Sequence, residues 1–330
     1  MSEDAPLFSV MMPAYNMEAY IVEAVESVRA QDRPDVELLI VDDGSEDGTP
    51  AALDAIRAIG DPRIRIWRQE NAGKSAALNR MLHEARGRYV ALLDADDLCH
   101  PERFSRAAEH FAAAPDLPAL MTGHELIVDG RLVAPRAQAR DRAECRAEID
   151  AYRMPAHDPT LICAREVALT LGGFAEDMRR AMGLDFVLRL GEVHPIEVIG
   201  EPLYRYRVTP GSLTRSDLER RATAVRTAMD RARVRRGVAP FTDAEFSSYY
   251  APLARDPTNN LIGHFTDSAY LLRAAGDRAG ALRTAAAAFR AVPFGPKSFK
   301  PMIYAVAPMT LAKAIRRREA TKAAGRPPGA

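Results

Sequence analysis

At 330 residues the chain is long for one domain and short for three, so its length fits one large domain or one domain with an extension. With 47% hydrophobic and 27% charged residues it is neither disordered nor collagen-like, and no apolar run reaches the roughly 18–20 residues that span a bilayer. The formal net charge is zero, with 45 basic and 45 acidic side chains, which argues against bulk affinity for nucleic acid. The start, MSEDAPLFSVMMP, lacks the basic segment that precedes the apolar stretch of a secretory leader. Cys99, Cys145 and Cys163 lie far apart and never in CxxC spacing, so they read as small buried hydrophobes in a reducing cytoplasm.

The first hundred residues alternate between strand and helix patterns, the mark of a mostly parallel sheet flanked by helices, an α/β Rossmann-like fold. Leu7 to Met12 is an apolar run ending at Pro13; residues 17–30 carry a helical face of Ile21, Ala24, Val25 and Val28. Strands are expected at 36–41, 64–67 and 88–93, with helices at 50–59, 74–86 and 102–113. Beyond residue 115 the pattern is less regular. Asp129-Gly130 between apolar runs marks a hairpin within 120–133, and residues 135–150 read as a polar loop leading into a surface helix. Helices are expected at 165–172 and 184–191, and extended chain at 197–206. From about 217 onward the chain is rich in Ala, Arg and Leu at helical spacing, with a pair at 260–275 and 278–291 resembling one helical hairpin that packs on a larger body.

In an open parallel sheet, ligands bind where the carboxyl ends of the strands meet helix N-termini. Four successive strand ends here carry Pro13-Ala14-Tyr15-Asn16, Asp42-Asp43-Gly44-Ser45, Asn71-Ala72-Gly73-Lys74 and Asp94-Ala95-Asp96-Asp97. Acidic clusters repel a bare phosphate but accept it across a divalent cation, and a DxD after a buried strand offers hard oxygen ligands suited to Mg²⁺ or Mn²⁺. Asp43 is placed to accept hydrogen bonds from a base or ribose, or to serve as a cap and turn for the next helix. Lys74 is the sole lysine before position 297 in a chain of forty arginines, a choice that suits a compact point charge at a pyrophosphate, though a surface lysine is the alternative.

The ordered set SVMMPAYN, LLIVDDGSEDGT, NAGKSAALN and YVALLDADD, followed by GGF, DFVLRL and YRYRVTPGSLT, resembles the family 2 glycosyltransferases of GT-A fold over roughly residues 7–215. The resemblance implies inverting transfer of a sugar from a nucleotide diphosphate donor, usually with Mn²⁺ or Mg²⁺, to a glycan or lipid-linked acceptor. Carried over by position, Pro13, Ala14, Tyr15 and Asn16 wrap base and ribose, Asp43 holds the base, and Lys74 lies near base or phosphate. Asp94 contacts the ribose with Ala95 beside it, and Asp96 ligates the metal directly. Asp97 supports from behind or caps the following helix. Arg205 and Arg207 lie where the family closes a loop over the pyrophosphate. The resemblance also implies a nucleotide-binding half over 7–115 and an acceptor half over 116–215, and the Ala/Arg/Leu-rich remainder, 216–330, reads as an all-helical extension. UDP is the expected nucleotide, and cell-surface polysaccharide or glycoconjugate assembly the expected setting.

Two positions depart from the family pattern. Where members carry an acidic pair whose second acid deprotonates the acceptor, this chain has Met182-Gly183, so Asp185 is the expected base, with Glu176-Asp177 and the more distant Asp158 as further acids. Thr209 replaces a histidine often found there. A second reading is therefore a nucleotide-sugar-binding protein of the same fold that has lost transfer activity. His157-Asp158, before Pro159, is the histidine pair that could face the acceptor, the alternative being a loop hydrogen bond.

The neutral total conceals a split. Residues 297–330 hold Lys297, Lys300, Lys313, Lys322, Arg316, Arg317, Arg318 and Arg326 against Glu319, a charge of +7 that leaves −7 on residues 1–296. Within 298–318 an apolar stripe of Met302, Ile303, Val306, Met309, Leu311 and Ile315, broken at Pro308, ends in basic residues. Such a segment lies on an anionic membrane surface or packs on the body with its basic end in water. The expected location is cytoplasmic, with peripheral attachment at the inner face of the cell membrane as the further option.

Overall fold

The apolar runs at the start of the chain become parallel strands because they are buried on both faces. In the computed structural model, which describes residues 5–128, 131–136, 138–208, 218–250, 257–274, 276–292 and 297–324, β1 (Phe8–Ala14) lies between β2 (Val36–Asp42) and β4 (Tyr89–Leu92), and β3 (Ile64–Arg68) flanks β2. These pairings are parallel, with Ala14 opposite Asp42, Asp42 opposite Arg68 and Met11 opposite Leu92. That register brings the loops after all of these strands to one rim.

The other side of the sheet is antiparallel. β8 (Ile162–Ala164) pairs with β4, β6 (Ala119–Val128) with β8, and β9 (Ile196–Arg207) joins β6 to β5 (Leu98–Cys99), giving the order β3-β2-β1-β4-β8-β6-β9-β5. β7 (Arg131–Arg136) pairs with β6 off this path. The Asp129-Gly130 turn between β6 and β7 lies outside the described residues.

The expected helical faces are the buried ones. α1 (Ile21–Arg29) buries Ile21, Ala24, Val25 and Val28, and α3 (Lys74–Glu84) buries Ala77, Leu78, Met81 and Leu82. α2 (Thr49–Ala58) buries Leu53 and Ile56, while α4 (Arg103–Ala113) buries Phe104, Ala107 and Phe111 together with Arg103. The aromatic centre stacks Tyr89 on Phe111 at 4.0 Å and on Phe8 at 5.6 Å. The polar stretch after the hairpin becomes α5 (Arg142–Asp150), begun by a capping box in which Asp141 and Glu144 bond each other's backbone. α6 (Arg165–Thr170) follows β8, and α7 (Met182–Val193) starts at Met182, earlier than the expected 184, which puts Asp185 in its first turn.

The chain divides into two compact units, residues 1–124, 137–207 and 227–238 in the first and 125–136, 208–226 and 239–330 in the second. α8 (Leu218–Arg235) contributes to each, and all the site residues described below belong to the first. Within the second, α10 (Pro257–Ala274) and α11 (Arg278–Ala291) form the expected helical pair, with Asp277 capping α11 through Gly280 N–H at 2.7 Å. Ala281 and Ala285 of α11 pack with Ala305 of α12 (Lys300–Val306). The chain breaks at Pro308 before α13 (Met309–Ala324), and α9 (Asp243–Tyr250) lies earlier in sequence.

Candidate active site

The first two loops of the rim are stitched into one piece. Asn16 adopts a left-handed backbone (φ 55°), which lets its N–H donate to Ser45 Oγ at 2.9 Å while its Oδ1 accepts from Glu46 N–H at 2.9 Å. Met17 N–H donates to Thr49 Oγ1 at 2.7 Å. Pro13 and Ala14 end β1 beneath this junction, and Tyr15 projects into solvent. Asp43 is buried and fixes the third loop: its carboxylate accepts from Gln69 Nε2 at 2.8 Å, Ala72 N–H at 2.9 Å and Gly73 N–H at 2.8 Å. The turn beside it needs glycine, since Gly44 has φ +77° and a Cβ there would lie 2.9 Å from Asn71 N. The sequence allowed Asp43 a capping role for the next helix; its bonds run instead to the loop before α3, and Thr49 N–H at the start of α2 is met by Asp47 at 2.9 Å.

Three carboxylates cluster at the end of β4, Asp94, Asp96 and Asp97, with ligand oxygens within 4.8 Å of one another. Their partners distinguish them. Asp94 Oδ1 accepts from Lys74 Nζ at 2.5 Å. Asp97 is fully buried; its Oδ2 accepts from the Tyr204 hydroxyl at 2.7 Å and its Oδ1 from Arg207 N–H at 2.7 Å. Burial, followed by the charges of Asp96 and Asp94, raises its pKa well above the ordinary carboxylate range. Asp96 is pushed up to about 6, by burial first and then by the charge of Asp94. Ala95 is buried between them.

Burial works against the Lys74 ammonium, but Asp94, Asp158 and Asp96 outweigh it and raise its pKa. The Arg207 guanidinium donates from Nε to the Asp96 carbonyl at 2.7 Å and from Nη2 to Glu23 at 2.7 Å, and lies over the Tyr20 ring. Arg205 sits opposite Leu98 in the β9–β5 pairing. The rim thus places two cations, Lys74 and Arg207, around an acidic cluster whose mutual repulsion a divalent cation would relieve, and the all-oxygen donor set suits Mg²⁺ or Mn²⁺.

The acids at the other wall are arranged differently. Asp185 is buried, accepts from Arg189 Nε at 2.9 Å and faces Arg235 Nη1 at 3.7 Å. Arg189 also donates to the carbonyls of Leu171 and Gly173, so this pair ties α7 to the GGF turn. Glu176 accepts from Asn79 at 2.8 Å and Asp177 pairs with Arg231. Asp158 heads a short 3₁₀ turn, Asp158–Thr160, and a Cβ built on Gly183 would fall 2.8 Å from Asp158 Cγ and closer still to Oδ2. His157 Nδ1 is 3.6 Å from Asp158 Oδ1, and its ring meets Tyr206 edge-on at 5.0 Å and His124 at 5.1 Å. Thr209 lies outside the described residues.

Residues 9–125 match the model of the family described as Glycosyl transferase family 2. That stretch of the chain belongs to glycosyltransferase family 2. The chain is 33% identical over 210 residues to a chondroitin synthase of Escherichia coli, covering 63% of this chain and 30% of that protein. The chain spans less than two thirds of the length of the curated relatives it matches. Among solved structures it resembles S. aureus TarS 1–349 in complex with UDP-GlcNAc (TM-score 0.58, 21% identity, 94% of this chain and 92% of that one). It also resembles the mannosyltransferase PcManGT from Pyrobaculum calidifontis in complex with GDP-Man and Mn²⁺ (TM-score 0.56, 22% identity, 98% and 82%). These likenesses confirm the GT-A fold expected from the strand-end motifs.

Two residues that build this rim escaped sequence reasoning. Tyr204 links the acidic loop to β9, and Arg103, wholly buried, donates to Leu92 O at 3.1 Å and Pro159 O at 3.0 Å while lying over the Tyr204 ring. The available signal was Arg103's place on the apolar stripe of α4, a charge where the helical period demands a hydrophobe.

Proposed function

We propose that this chain is an inverting, metal-dependent glycosyltransferase that moves a sugar from a UDP-sugar to a hydroxyl of a glycan or lipid-linked acceptor in polysaccharide or glycoconjugate assembly. The observation that carries the reading is the Asp94–Asp96–Asp97 cluster at the end of a central parallel strand, flanked by Lys74 and Arg207. The name of the E. coli relative, the UDP-GlcNAc complex of TarS and the GDP-Man–Mn²⁺ complex of PcManGT support the donor class, the setting and the metal.

In this reading the stitched loops of Pro13, Ala14, Tyr15 and Asn16 and of Asp43 to Gly48 form the nucleotide slot. Asp94 meets the ribose, with Ala95 beside it, and Asp96, supported by Asp94, holds the Mn²⁺ or Mg²⁺. Bound there, the metal supplies Lewis-acid stabilisation to the departing diphosphate. Lys74 and Arg207 add fixed positive charge where negative charge develops on the leaving oxygen, and Arg205 guards the approach from β9. The helical extension assigned to 216–330 presents Phe299, Ile303, Val306 and Leu311 to solvent among Lys297, Lys300 and Lys313, which supports contact with an anionic membrane surface. No helix among the described residues is long and apolar enough to cross a membrane.

The deciding assay measures release of UDP from UDP-sugars with Mn²⁺ in the full chain and in Asp96→Ala. Metal-dependent turnover lost in the variant sustains the reading. Nucleotide binding without turnover for any donor or acceptor favours the second reading, a binding protein that has lost transfer, which the glycine at position 183 favours.

A further inference from the structure

We propose that Asp158 is the base that deprotonates the acceptor hydroxyl, its carboxylate standing in the space that a side chain at position 183 would fill. The proposal rests on the glycosyltransferase reading above.

The steric relation is direct. A Cβ on Gly183 would lie 2.8 Å from Asp158 Cγ and 2.9 Å from its Cβ, so the two positions share one volume and only one of them can carry the acid. Glycine at 183 is what lets Asp158 enter. Its neighbourhood fits the role: the Asp158 charge acts on the Lys74 ammonium, the group that donates to Asp94 at 2.5 Å.

The turn that carries it is rigid. Thr160 Oγ1 donates to the His157 carbonyl at 2.7 Å, Leu161 N–H to the Asp158 carbonyl at 3.0 Å, and Arg103 Nη2 to the Pro159 carbonyl at 3.0 Å. A base on such a turn is pre-positioned. The Asp158 side chain is 26% exposed and reachable by an acceptor, whereas that of Asp185 is 2% exposed, bonded to Arg189 and facing Arg235. Both Asp185 oxygens are engaged by cations, Oδ2 by Arg189 and Oδ1 by Arg235, and neither is open to an acceptor hydroxyl.

The step balances. The acceptor O–H proton passes to the Asp158 carboxylate as the acceptor oxygen bonds the anomeric carbon. The bond from that carbon to the donor phosphate oxygen breaks, and its electron pair leaves with the nucleoside diphosphate. Asp158 then returns the proton to solvent.

The test follows nucleotide release by the full chain from UDP-GlcNAc, UDP-glucose and GDP-mannose with Mn²⁺, water or added glycan serving as acceptor. Asp158→Asn is expected to lower kcat by about 10²–10⁴-fold with donor KM changed less than about threefold. The double variant Asp158→Gly/Gly183→Asp is expected to recover to within about tenfold of the unsubstituted chain, because the acid returns to the same volume; a residue that merely shapes the turn would not be rescued this way. Asp158→Asn retaining more than about a tenth of kcat overturns the assignment. So does failure of Gly183→Asp to rescue Asp158→Gly in a protein that still melts cooperatively and is still stabilised by UDP and Mn²⁺. Absence of turnover by the unsubstituted chain with every donor overturns the glycosyltransferase reading itself and takes the base with it.

Discussion

The Tyr204 hydroxyl donates to Asp97 Oδ2 at 2.7 Å and accepts from Asp94 N–H at 3.2 Å, so one phenol on β9 fastens both ends of the acidic loop. Asp97 and Tyr204 are each fully buried, and 107 residues separate them in sequence.

Tyr204→Phe keeps the ring against Arg103 but leaves a buried carboxylate and a backbone N–H each short of a partner. The expected loss is about 1–3 kcal/mol of unfolding free energy, read from urea melts with an unchanged m-value. A loss below about 0.5 kcal/mol would mean that this link does not hold the loop.

Lys74→Met should move two affinities in different directions. Removing the ammonium beside Asp94 makes the cluster more negative, so Mn²⁺ alone binds at least as well as before. UDP in the presence of Mn²⁺ loses a charge-assisted contact and binds about tenfold or more weakly. Titration calorimetry separates the two, and equal weakening of metal and nucleotide would show that Lys74 only supports the fold.

Gly44 and Gly60 both have positive φ, 77° and 75°, but a Cβ at Gly44 would lie 2.9 Å from Asn71 N while one at Gly60 meets nothing within 4 Å. Gly60→Ala is expected to cost about 1–2 kcal/mol, the left-handed penalty alone. Gly44→Ala should cost more and should also weaken UDP binding, since Asn71 precedes the loop that Asp43 holds. Equal costs in paired denaturation curves would show that the loop yields.

All three cysteines are free and buried. Burial pushes the Cys145 and Cys163 thiols up to about 12 and raises Cys99 as well. A thiol titrating near 12 is only about 10⁻⁴ thiolate at pH 8, so reactivity stays low there and rises only as the pH climbs toward that value. Iodoacetamide at pH 8 should leave the native protein unlabelled and modify Cys99, Cys145 and Cys163 in urea. Rapid native labelling of any one would contradict the burial described.

Of the stripe read from the sequence, Ile303, Val306 and Leu311 are exposed while Met302, Met309 and Ile315 are half-buried, Met302 packing against Ala281, Ala285 and Ala305. Vesicles containing acidic lipid should retain the full chain better than neutral vesicles, each Lys or Arg adding about 1 kcal/mol. Ile303→Asp with Val306→Asp should abolish the difference; retention unaffected by the pair would place the membrane contact elsewhere or nowhere.

What the sequence determined by itself was the rim. Strands buried on both faces read as unbroken apolar runs, and parallel strands in register must send PAYN, DDGS, NAGK and DADD to one edge, so the meeting of these four loops on one rim was legible from the linear order. Division of labour among the acids was decided only by tertiary structure. Asp94 answers to Lys74, Asp97 to Tyr204 and Arg207, Asp185 to Arg189 and Arg235, and Asp158 occupies the volume that Gly183 leaves empty. Carboxylates are chemically alike, and apart from Arg189, one helical turn beyond Asp185, these partners lie 20 or more residues away, so their separate roles arise from which cation, hydroxyl or empty volume the fold sets beside each one.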